Sequence, residues 1–298
     1  MSKLHIVIPV VEHEVINFSD NLKILLENIE QSNMNQRNVQ IHVILQSKNP
    51  QVPVEIKKYE QLDNIKIHMV NFFSVSKARN YGIELIPKNK NNFIYLLDND
   101  AIPGISFFNM VNTCIAEDFP ISTGRIIWEI NNVKLIKKVT GKEHIHKKKS
   151  VYKNNNYFLG TYIIRGDLLE NVRFNEKIGP ANNTRIKAGE DVLFFYDLFS
   201  KNNIKFIHVF DNSYVFHPPR PKDMSKQLLY AEGQGALYRH LLFSKKLTKL
   251  QRIGLIINFI LFIGNSFFRV ILCKPKSIPI LRKRFNGFFN SDFQKYYK

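Results

Sequence analysis

Segments typical of β-strands alternate with segments typical of α-helices over the first hundred residues, and this alternation limits the fold more than any other feature. Apolar, β-rich runs occupy residues 4–10, 39–45, 65–70 and 93–97, and apolar residues recur at helical spacing in 17–31 and 74–86. Strands connected through helices pair in parallel, and helices then cover both faces of the sheet. We therefore predict an α/β fold with a Rossmann-like, mostly parallel central sheet flanked by helices. Ligands of such sheets bind beyond the carboxyl ends of the strands.

The rest of the chain is less regular and ends in a helical region. A helix is predicted to end near residue 117, and the basic, polar segment 134–156 is predicted to be a loop or flap. Later segments are predicted as a strand over 157–165, a helix from residue 188, two short strands within 204–216, and helices from residue 224. We predict a main α/β domain over 1–220 and a helical, basic C-terminal extension over 221–298.

Charge and cysteine usage limit the partners and the compartment. The 298 residues include 43 Lys and Arg against 25 Asp and Glu, a net charge of +18. This excess indicates an anionic partner such as nucleic acid, a membrane surface or a phosphorylated small molecule. Cys114 and Cys273 are far apart in sequence, which supports neither a disulfide framework nor a zinc cluster. Since the N-terminus also lacks the features of a signal peptide, we expect a reducing, cytoplasmic location.

Asp98 and Asp100 follow directly on the predicted strand 93–97. Two hard oxygen donors at a strand end suit Mg²⁺ or Mn²⁺, and such an ion can in turn bind a diphosphate. The simpler interpretation is a turn, because Asp and Asn are favoured after strands. The motif alone does not decide between these two interpretations.

Four other polar residues stand at positions that suit a site. Glu190 and Asp191 open a predicted helix, where acidic residues are favoured by the helix dipole and where a general base would be rigidly held. Arg79 lies on the helix before the fourth strand and suits a phosphate or a carboxylate, although a solvated charge is the ordinary alternative. His217 ends a strand and precedes two prolines; it is either a structural histidine or a metal ligand.

Taken together, five motifs resemble, in order and spacing, those of the family 2 glycosyltransferases of the GT-A fold. The motifs are LHIVIPV, SKARNYGIE, YLLDNDAIP, FLGTYIIRGDLLENVRFNEKIGP and AGEDVLFFYDLFSKN. The resemblance covers residues 4 to about 217 and points to the bacterial surface-polysaccharide type. It implies a nucleoside-diphosphate sugar as donor, Mn²⁺ or Mg²⁺ as cofactor, and a glycan or lipid-linked glycan as acceptor.

The resemblance also implies roles for individual residues on the donor side. Asp98 is expected to contact the nucleotide ribose or the metal, and Asp100 to ligate the metal. Arg79 is expected to approach the nucleotide, and His217 to help hold the metal or the diphosphate.

Three further positions concern the nucleotide. Pro9 matches the residue at which the opening strand of the family ends, and Glu12 is expected to face the nucleotide. Gln46 stands where the family usually has an Asp that recognises the base, and this departure leaves the identity of the base open.

On the acceptor side, Asp191 matches the catalytic base, with Glu190 positioning the acceptor or structuring the site. The expected reaction inverts the anomeric centre: the acceptor hydroxyl, deprotonated by Asp191, attacks opposite the diphosphate.

The uncharged run 253–268 leads to a prediction about the location of the protein. As a helix it would be about 24 Å long, which is short of the ~30 Å hydrocarbon core of a bilayer. An in-plane or re-entrant membrane element and a packed helix, including one in a homo-oligomer interface, remain alternatives. Together with the flanking basic residues, the run favours an anionic membrane surface as a partner, and we expect the inner face of the plasma membrane.

Three other functions are less well supported by the sequence. A basic nucleic-acid-binding protein would suit the charge, but none of the usual binding motifs is present, so we expect no nucleic-acid partner. A nucleotidyltransferase on a similar fold would need a Gly-rich, Arg-containing loop after the first strand, where this chain has PVVEHEV. A non-catalytic member of the family would not need to retain Asp100, Glu190 and Asp191.

Overall fold

The structure is a computed structural model that describes residues 2–128, 146–150, 158–219, 224–244, 247 and 249–297. The described strands are β1 Lys3–Val11, β2 Val39–Gln46, β3 Ile65–Val70, β4 Asn92–Leu96, β5 Ile102–Pro103, β6 Ile121–Ile127, β7 His146–Ser150, β8 Tyr162–Arg165 and β9 Phe206–Phe216. The described α-helices are α1 Val15–Gln31, α2 Val54–Lys57, α3 Val75–Glu84, α4 Ile105–Ala116, α5 Glu190–Lys201, α6 Ser225–Leu242, α7 Lys249–Ile271 and α8 Ser277–Phe289.

The described strands form one sheet in the order β3-β2-β1-β4-β8-β6-β9-β5, with β7 paired to β9. The first four strands are all parallel. Residues 4–10 of β1 are buried on both faces, as expected for a parallel strand covered by helices. The chain order reverses at β1, between β2 and β4, and this reversal is where open α/β sheets form a ligand crevice. The structure therefore confirms the predicted α/β architecture.

The second half of the sheet mixes strand directions. β8 is antiparallel to both β4 and β6, whereas β6 and β9 are parallel. The prediction of two short strands within 204–216 is wrong, because β9 runs unbroken from Phe206 to Phe216. Its register against β6 shifts between Thr123 and Arg125, so the polar residues near Asp211 are accommodated in a bulge that does not end the strand.

The basic segment 134–156 lies largely outside the described residues. Its described part, β7, is a strand antiparallel to β9 and not a loop. Lys147 and Arg125 both form ion pairs with Asp211 of β9, so a surface charge cluster accompanies this pairing.

Three histidines form a polar ladder across the parallel half of the sheet. Their rings stack from His5 on β1 to His42 on β2 and His68 on β3, with ring centroids 5.5 and 5.6 Å apart. Asn92 Nδ2 donates to the Pro87 carbonyl, and Asn92 Oδ1 therefore faces His5 Nε2 at 3.3 Å. His5 Nδ1 then faces His42 Nε2 at 3.2 Å, and His42 Nδ1 faces His68 Nε2 at 3.3 Å. Neutral rings protonated on Nε2 satisfy the whole chain of hydrogen bonds.

Residue contacts divide the chain into two compact units. The first comprises Met1–Arg173 and Asp197–Pro219, and the second comprises Phe174–Tyr196 and Arg220–Lys298. The predicted boundary at residue 220 stays a prediction, and the second unit includes residues 174–196 as well as the C-terminal helices.

Helices α6 and α8 cross closely within the second unit. A Cβ on Gly235 would collide with the backbone carbonyl of Arg284, and a Cβ on Gly287 would collide with that of Glu232. The two glycines therefore permit backbone-to-backbone packing that larger residues would prevent. Arg284 is buried at this crossing; its guanidinium donates to Gln234 and Ser266 and stacks 3.9 Å from the Phe262 ring.

Candidate functional site

Asp98 and Asp100 lie in a turn at the carboxyl end of β4. The Leu97 N–H still donates to the Val7 carbonyl of β1 at 3.0 Å, and the Ala101 N–H then donates back to the Asp98 carbonyl at 3.1 Å. The chain thus leaves the sheet after Leu97 and turns at the two acids, beside the crevice that the strand order creates.

Asn99, between the two acids, is held toward α1. Its side-chain amide donates to Glu14 at 2.8 Å, and its carbonyl accepts from Asn21 at 3.0 Å. Asn99 therefore anchors the turn as well as spacing the two acids.

The short strand β5 explains how His217 reaches Asp100. Ile102 and Pro103 pair antiparallel with Phe216 and Val215, so the residue after β9 lies opposite the residues that precede β5. The His217 N–H also donates to the Ile127 carbonyl of β6 at 2.9 Å, which fixes the backbone at this point. Long-range strand pairing therefore brings the acids and the histidine together.

Asp98, Asp100 and His217 form a cluster that could hold a metal ion. One ligand atom from each residue lies within 4.8 Å of the others. His217 Nε2 is 3.3 Å from Asp100 Oδ1, and His217 Nδ1 donates to the Pro218 carbonyl at 2.8 Å, so Nε2 is the nitrogen that faces the acids. Two carboxylates and an imidazole are a donor set suited to a divalent cation.

The electrostatics of the cluster favour positive charge. Burial of the His217 ring opposes its protonated form, but the hydrogen bond and charge of Asp100 outweigh burial, and the pKa of His217 is raised. The hydroxyl of Tyr95, on β4 beneath the turn, is fully buried and donates to the Gly160 carbonyl at 2.7 Å. Burial and the charge of Asp98 raise the pKa of this hydroxyl, so Tyr95 stays neutral.

Arg79 reaches Asp98 from α3. Its Nη2 donates to Asp98 Oδ1 at 2.6 Å, and the guanidinium is almost fully buried. Gly82 allows the helix to lie close to β1, since a Cβ at this position would collide with the side chain of Val7. Ser74 caps the start of α3 by accepting from the Lys77 N–H at 3.3 Å. Residues of the motif SKARNYGIE thus position Arg79 against the turn that carries Asp98 and Asp100.

Two aromatic residues beside His217 were not identified from the sequence. The ring centroids of Trp128 and Phe158 lie 5.0 and 5.3 Å from that of His217, and the two rings contact each other edge to face at 5.7 Å. Trp128 follows β6 and is 39% exposed. Trp128 is the only tryptophan in the chain, and this rarity is the one sequence feature that could have drawn attention to it. Its position beside the site follows from strand pairing, which the sequence does not show.

The predicted nucleotide-binding residues lie at the ends of β1 and β2. Glu12 directly follows β1 and accepts from Ser47 Oγ at 2.6 Å. Gln46 ends β2, is 1% exposed, and accepts from the Ser74 N–H at 2.7 Å. Among the described residues, its Nε2 has no hydrogen-bond partner.

Pro9 lies within β1, since the strand continues to Val11 and does not end at the proline. Pairing of β1 with β4 stops at Val7, so the missing N–H of Pro9 falls beyond the end of β4, where no ladder hydrogen bond is lost.

Glu190 and Asp191 belong to the second unit, where they open α5. Gly189 precedes them with a φ of +103°, a conformation that favours glycine. Glu190 is buried and Asp191 is partly exposed. Burial raises the pKa of the Tyr297 hydroxyl, and the negative charge of Glu190 raises it further. Tyr297 therefore stays neutral beside the start of this helix.

The sequence matches no protein-family model and no curated protein. Solved structures do match. The mannosyltransferase PcManGT from Pyrobaculum calidifontis, in complex with GDP-Man and Mn²⁺, matches with a TM-score of 0.62 at 10% identity over 99% of this chain and 78% of that one. TarS from S. aureus matches with a TM-score of 0.59 at 16% identity over 87% of this chain.

This chain spans 43% of that TarS chain, and thus less than half of its length. TarS 1–349 in complex with UDP-GlcNAc matches with a TM-score of 0.52 at 16% identity, over 99% of this chain and 91% of that one. At these identities the similarity concerns the fold. The chain thus has the fold of these nucleotide-sugar-binding proteins, which confirms the predicted GT-A architecture.

Proposed function

We propose that the protein is an inverting, metal-dependent glycosyltransferase of the family 2 type. It would transfer a sugar from a nucleoside-diphosphate sugar to a hydroxyl of a glycan or lipid-linked glycan acceptor in surface-polysaccharide synthesis, at the inner face of the plasma membrane. The observation that carries the proposal is the cluster of Asp98, Asp100 and His217 at the crevice of the sheet, with ligand atoms within 4.8 Å of one another. The bound GDP-Man and Mn²⁺ of the similar mannosyltransferase structure support it.

The cluster would hold Mn²⁺ or Mg²⁺, and the imidazole favours Mn²⁺ of the two. When bound, the cation would stabilise the negative charge of the departing nucleoside diphosphate. Arg79 would hold the Asp98 carboxylate in its orientation, because its buried guanidinium donates to one carboxylate oxygen.

The nucleotide would lie along the ends of β1 and β2. Gln46 is fixed there by its bond from Ser74, and its buried Nε2 has no partner within the described residues. Because buried donors are normally paired, this amide would donate to the base of the nucleotide. Glu12 and Pro9 would line the same end of the sheet.

On the acceptor side, Asp191 would act as the general base and Glu190 would position the acceptor. The start of a rigid helix suits this role, since a base must be held within hydrogen-bond reach of the hydroxyl that it deprotonates. The oxygen of that hydroxyl would form the new bond to the anomeric carbon while the bond to the diphosphate breaks.

A panel of UDP- and GDP-sugars, assayed for release of the nucleoside diphosphate with Mn²⁺, with Mg²⁺ or with EDTA, tests the proposal. We expect turnover of one donor class only, and only with a divalent cation. Asp100→Asn should remove the metal dependence of donor binding, measured by calorimetry. The exposed Asp63 offers a matched control, because Asp63→Asn makes the same change in a turn on the surface. Unchanged Mn²⁺-dependent binding by Asp100→Asn would refute the metal site.

Asp191→Asn separates the base from the donor site. We expect transfer to an acceptor to fall by at least about a hundredfold, as is typical for loss of a general base, while binding of the donor and metal is retained. Transfer at the original rate by a folded Asp191→Asn variant would show that another group is the base.

A further inference from the structure

Helix α7 exposes an apolar face. Eight large apolar residues of this helix are 44–74% exposed. Each of them lies three or four residues from at least one other, so they form one stripe along the helix. The members of this stripe are Ile253, Ile256, Ile257, Ile260, Leu261, Phe267, Phe268 and Ile271. A helix on the surface of a water-soluble protein normally exposes polar residues instead.

The opposite face of α7 is covered by the second unit itself. Leu255, Ile263 and Ser266 are buried there. Phe259 stacks on Phe288 of α8 at 4.3 Å and contacts Tyr238 of α6 at 5.2 Å. The helix is therefore already packed on one side, and the exposed stripe needs a separate partner.

Positive charge surrounds the stripe. Residues 224–298 contain fourteen Lys and Arg but only two acidic residues, Glu232 and Asp292. Lys249 and Arg252 are exposed at the start of α7, Lys274 and Lys276 are exposed just after its end, and Arg282 and Lys283 are exposed on α8. A partner of this face must therefore combine an apolar interior with a negatively charged surface.

We propose that α7 lies in the plane of an anionic membrane surface, with the stripe inserted among the lipid chains and the flanking lysines and arginines on the headgroups. Such an element is an amphipathic interfacial helix. The inference deepens the membrane location given under the proposed function, but it does not rest on the transferase activity, because its observations concern the C-terminal helices alone. A second copy of the chain is a poorer occupant, because a symmetric contact through the stripe would bring like charges together.

A membrane-spanning arrangement also fits less well. Residues Arg252–Ile271 are long and apolar enough to cross a bilayer by length and composition. However, α8 packs along α7 through Phe285 and Phe288 and carries the exposed Arg282 and Lys283. A spanning α7 would draw these charges into the hydrocarbon, whereas an in-plane α7 leaves them at the headgroups.

Co-sedimentation of the full chain with vesicles tests the proposal. We expect binding to vesicles of phosphatidylcholine with 30% phosphatidylglycerol, and weaker binding to phosphatidylcholine alone or in 0.5 M NaCl, since each basic side chain near an anionic surface contributes about fivefold. Ile260→Asp and Leu261→Asp should each lower the partition coefficient at least about tenfold. Ile16→Asp is the matched control: Ile16 on α1 is 65% exposed, like Leu261, and its variant should bind normally.

Two results would overturn the proposal. The first is equal vesicle binding by Ile260→Asp, Leu261→Asp and the control, with unchanged circular dichroism. The second is a dimer in solution that these two substitutions dissociate, without vesicle binding by the parent chain. That result would make a second copy the occupant.

Thiol labelling separates an in-plane helix from a spanning one. Cys273 is exposed near the end of α7 and Cys114 is buried. With an impermeant maleimide added outside preformed vesicles, an in-plane helix leaves both Cys273 and a cysteine introduced by Arg252→Cys reactive. Protection of one of the two sites in bound protein would show a spanning helix and would refute the in-plane arrangement.

Discussion

Trp128 makes the predicted metal site directly observable. It is the only tryptophan of the chain, and its ring lies 5.0 Å from that of His217. Mn²⁺ is paramagnetic and quenches a nearby fluorophore at short range. We predict that Mn²⁺ lowers the tryptophan emission of the protein in a saturable titration, whereas diamagnetic Mg²⁺ gives little quenching.

Two aspartate substitutions control this titration, one in the site and one on the surface. Asp100→Asn should remove the saturable quenching by Mn²⁺, while Asp63→Asn on the surface should retain it. Saturable quenching that survives both Asp100→Asn and His217→Gln would place the Mn²⁺ elsewhere near Trp128.

At the level of single residues, the sequence predicted the positions of Asp98 and Asp100 in the fold better than it predicted which residues surround them. Asp98 and Asp100 follow an unmistakable apolar strand, and Arg79 lies on a regular helix just before it, so local patterns suffice to place them at one end of a parallel sheet. Trp128 and Phe158 reach His217 only because β6, β8 and β9 pair over long sequence distances. No local pattern encodes that proximity.

Within the helical elements, the crossing of α6 and α8 depends on two glycines. In Gly235→Ala, the new methyl group would collide with the backbone carbonyl of Arg284, which cannot rotate away as a side chain can. We predict a loss of about 1–3 kcal/mol in the free energy of unfolding, measured by denaturant titration.

Gly264→Ala is the matched control for this crossing. Gly264 lies in the interior of α7, and among the described residues no atom outside the nearby backbone of α7 itself lies within 4 Å of the position that an added methyl group would take. Alanine there should increase stability by about 0.5–1 kcal/mol, because it favours the helix without a collision. Equal effects of the two substitutions would show that the α6–α8 crossing is not close-packed.

Among the strands, regular patterns were predicted well and interrupted ones were not. Residues 65–70 alternate apolar and polar side chains before a final apolar pair, and they form β3 with the predicted bounds. β9, which was predicted as two short strands, contains Asp211, Asn212 and Ser213, residue types that are common in turns. The bulge against β6 and the ion pairs of Asp211 with Arg125 and Lys147 keep these polar residues within one strand. Residues that are common in turns therefore do not predict the end of a strand reliably, because a bulge against a neighbouring strand can accommodate them.

For the molecule as a whole, the histidine ladder predicts sensitivity to acid. Burial, together with the neighbouring His5 and His68, lowers the pKa of His42 to about 3, and the pKa values of His5 and His68 are lowered as well. An unfolded histidine has a pKa near 6.5. The unfolded state therefore binds more protons at pH 3–6.5, and stability is lost as the pH falls through this window. For His42 alone the slope is about 1.4 kcal/mol per pH unit.

Denaturant titrations at pH 7, 6, 5 and 4.5 measure this slope. His42→Gln should flatten it, because glutamine does not titrate, even if the variant is less stable at pH 7. His13→Gln, which replaces an exposed histidine outside the ladder by the same residue, is the matched control. A parent slope equal to that of His42→Gln would mean that the ladder contributes nothing to acid sensitivity.

The overall charge was predictive only in general terms. A net charge of +18 indicated an anionic partner but not where that partner binds. The structure shows that the last quarter of the chain combines most of this excess with an exposed apolar stripe, a coincidence that composition alone does not reveal.

The pairing of β5 with β9 has a consequence for stability. Asp100 and His217 lie on opposite sides of a long intervening segment of the chain, and only strand pairing brings them within 3.3 Å. A cation held by both residues would close that segment into a loop, much as a covalent cross-link does. Because such a cation binds the folded state in preference to the unfolded one, it would stabilise the pairing of β5 with β9. Removal of the cation by a chelator would therefore destabilise the β5 edge of the sheet as well as the site.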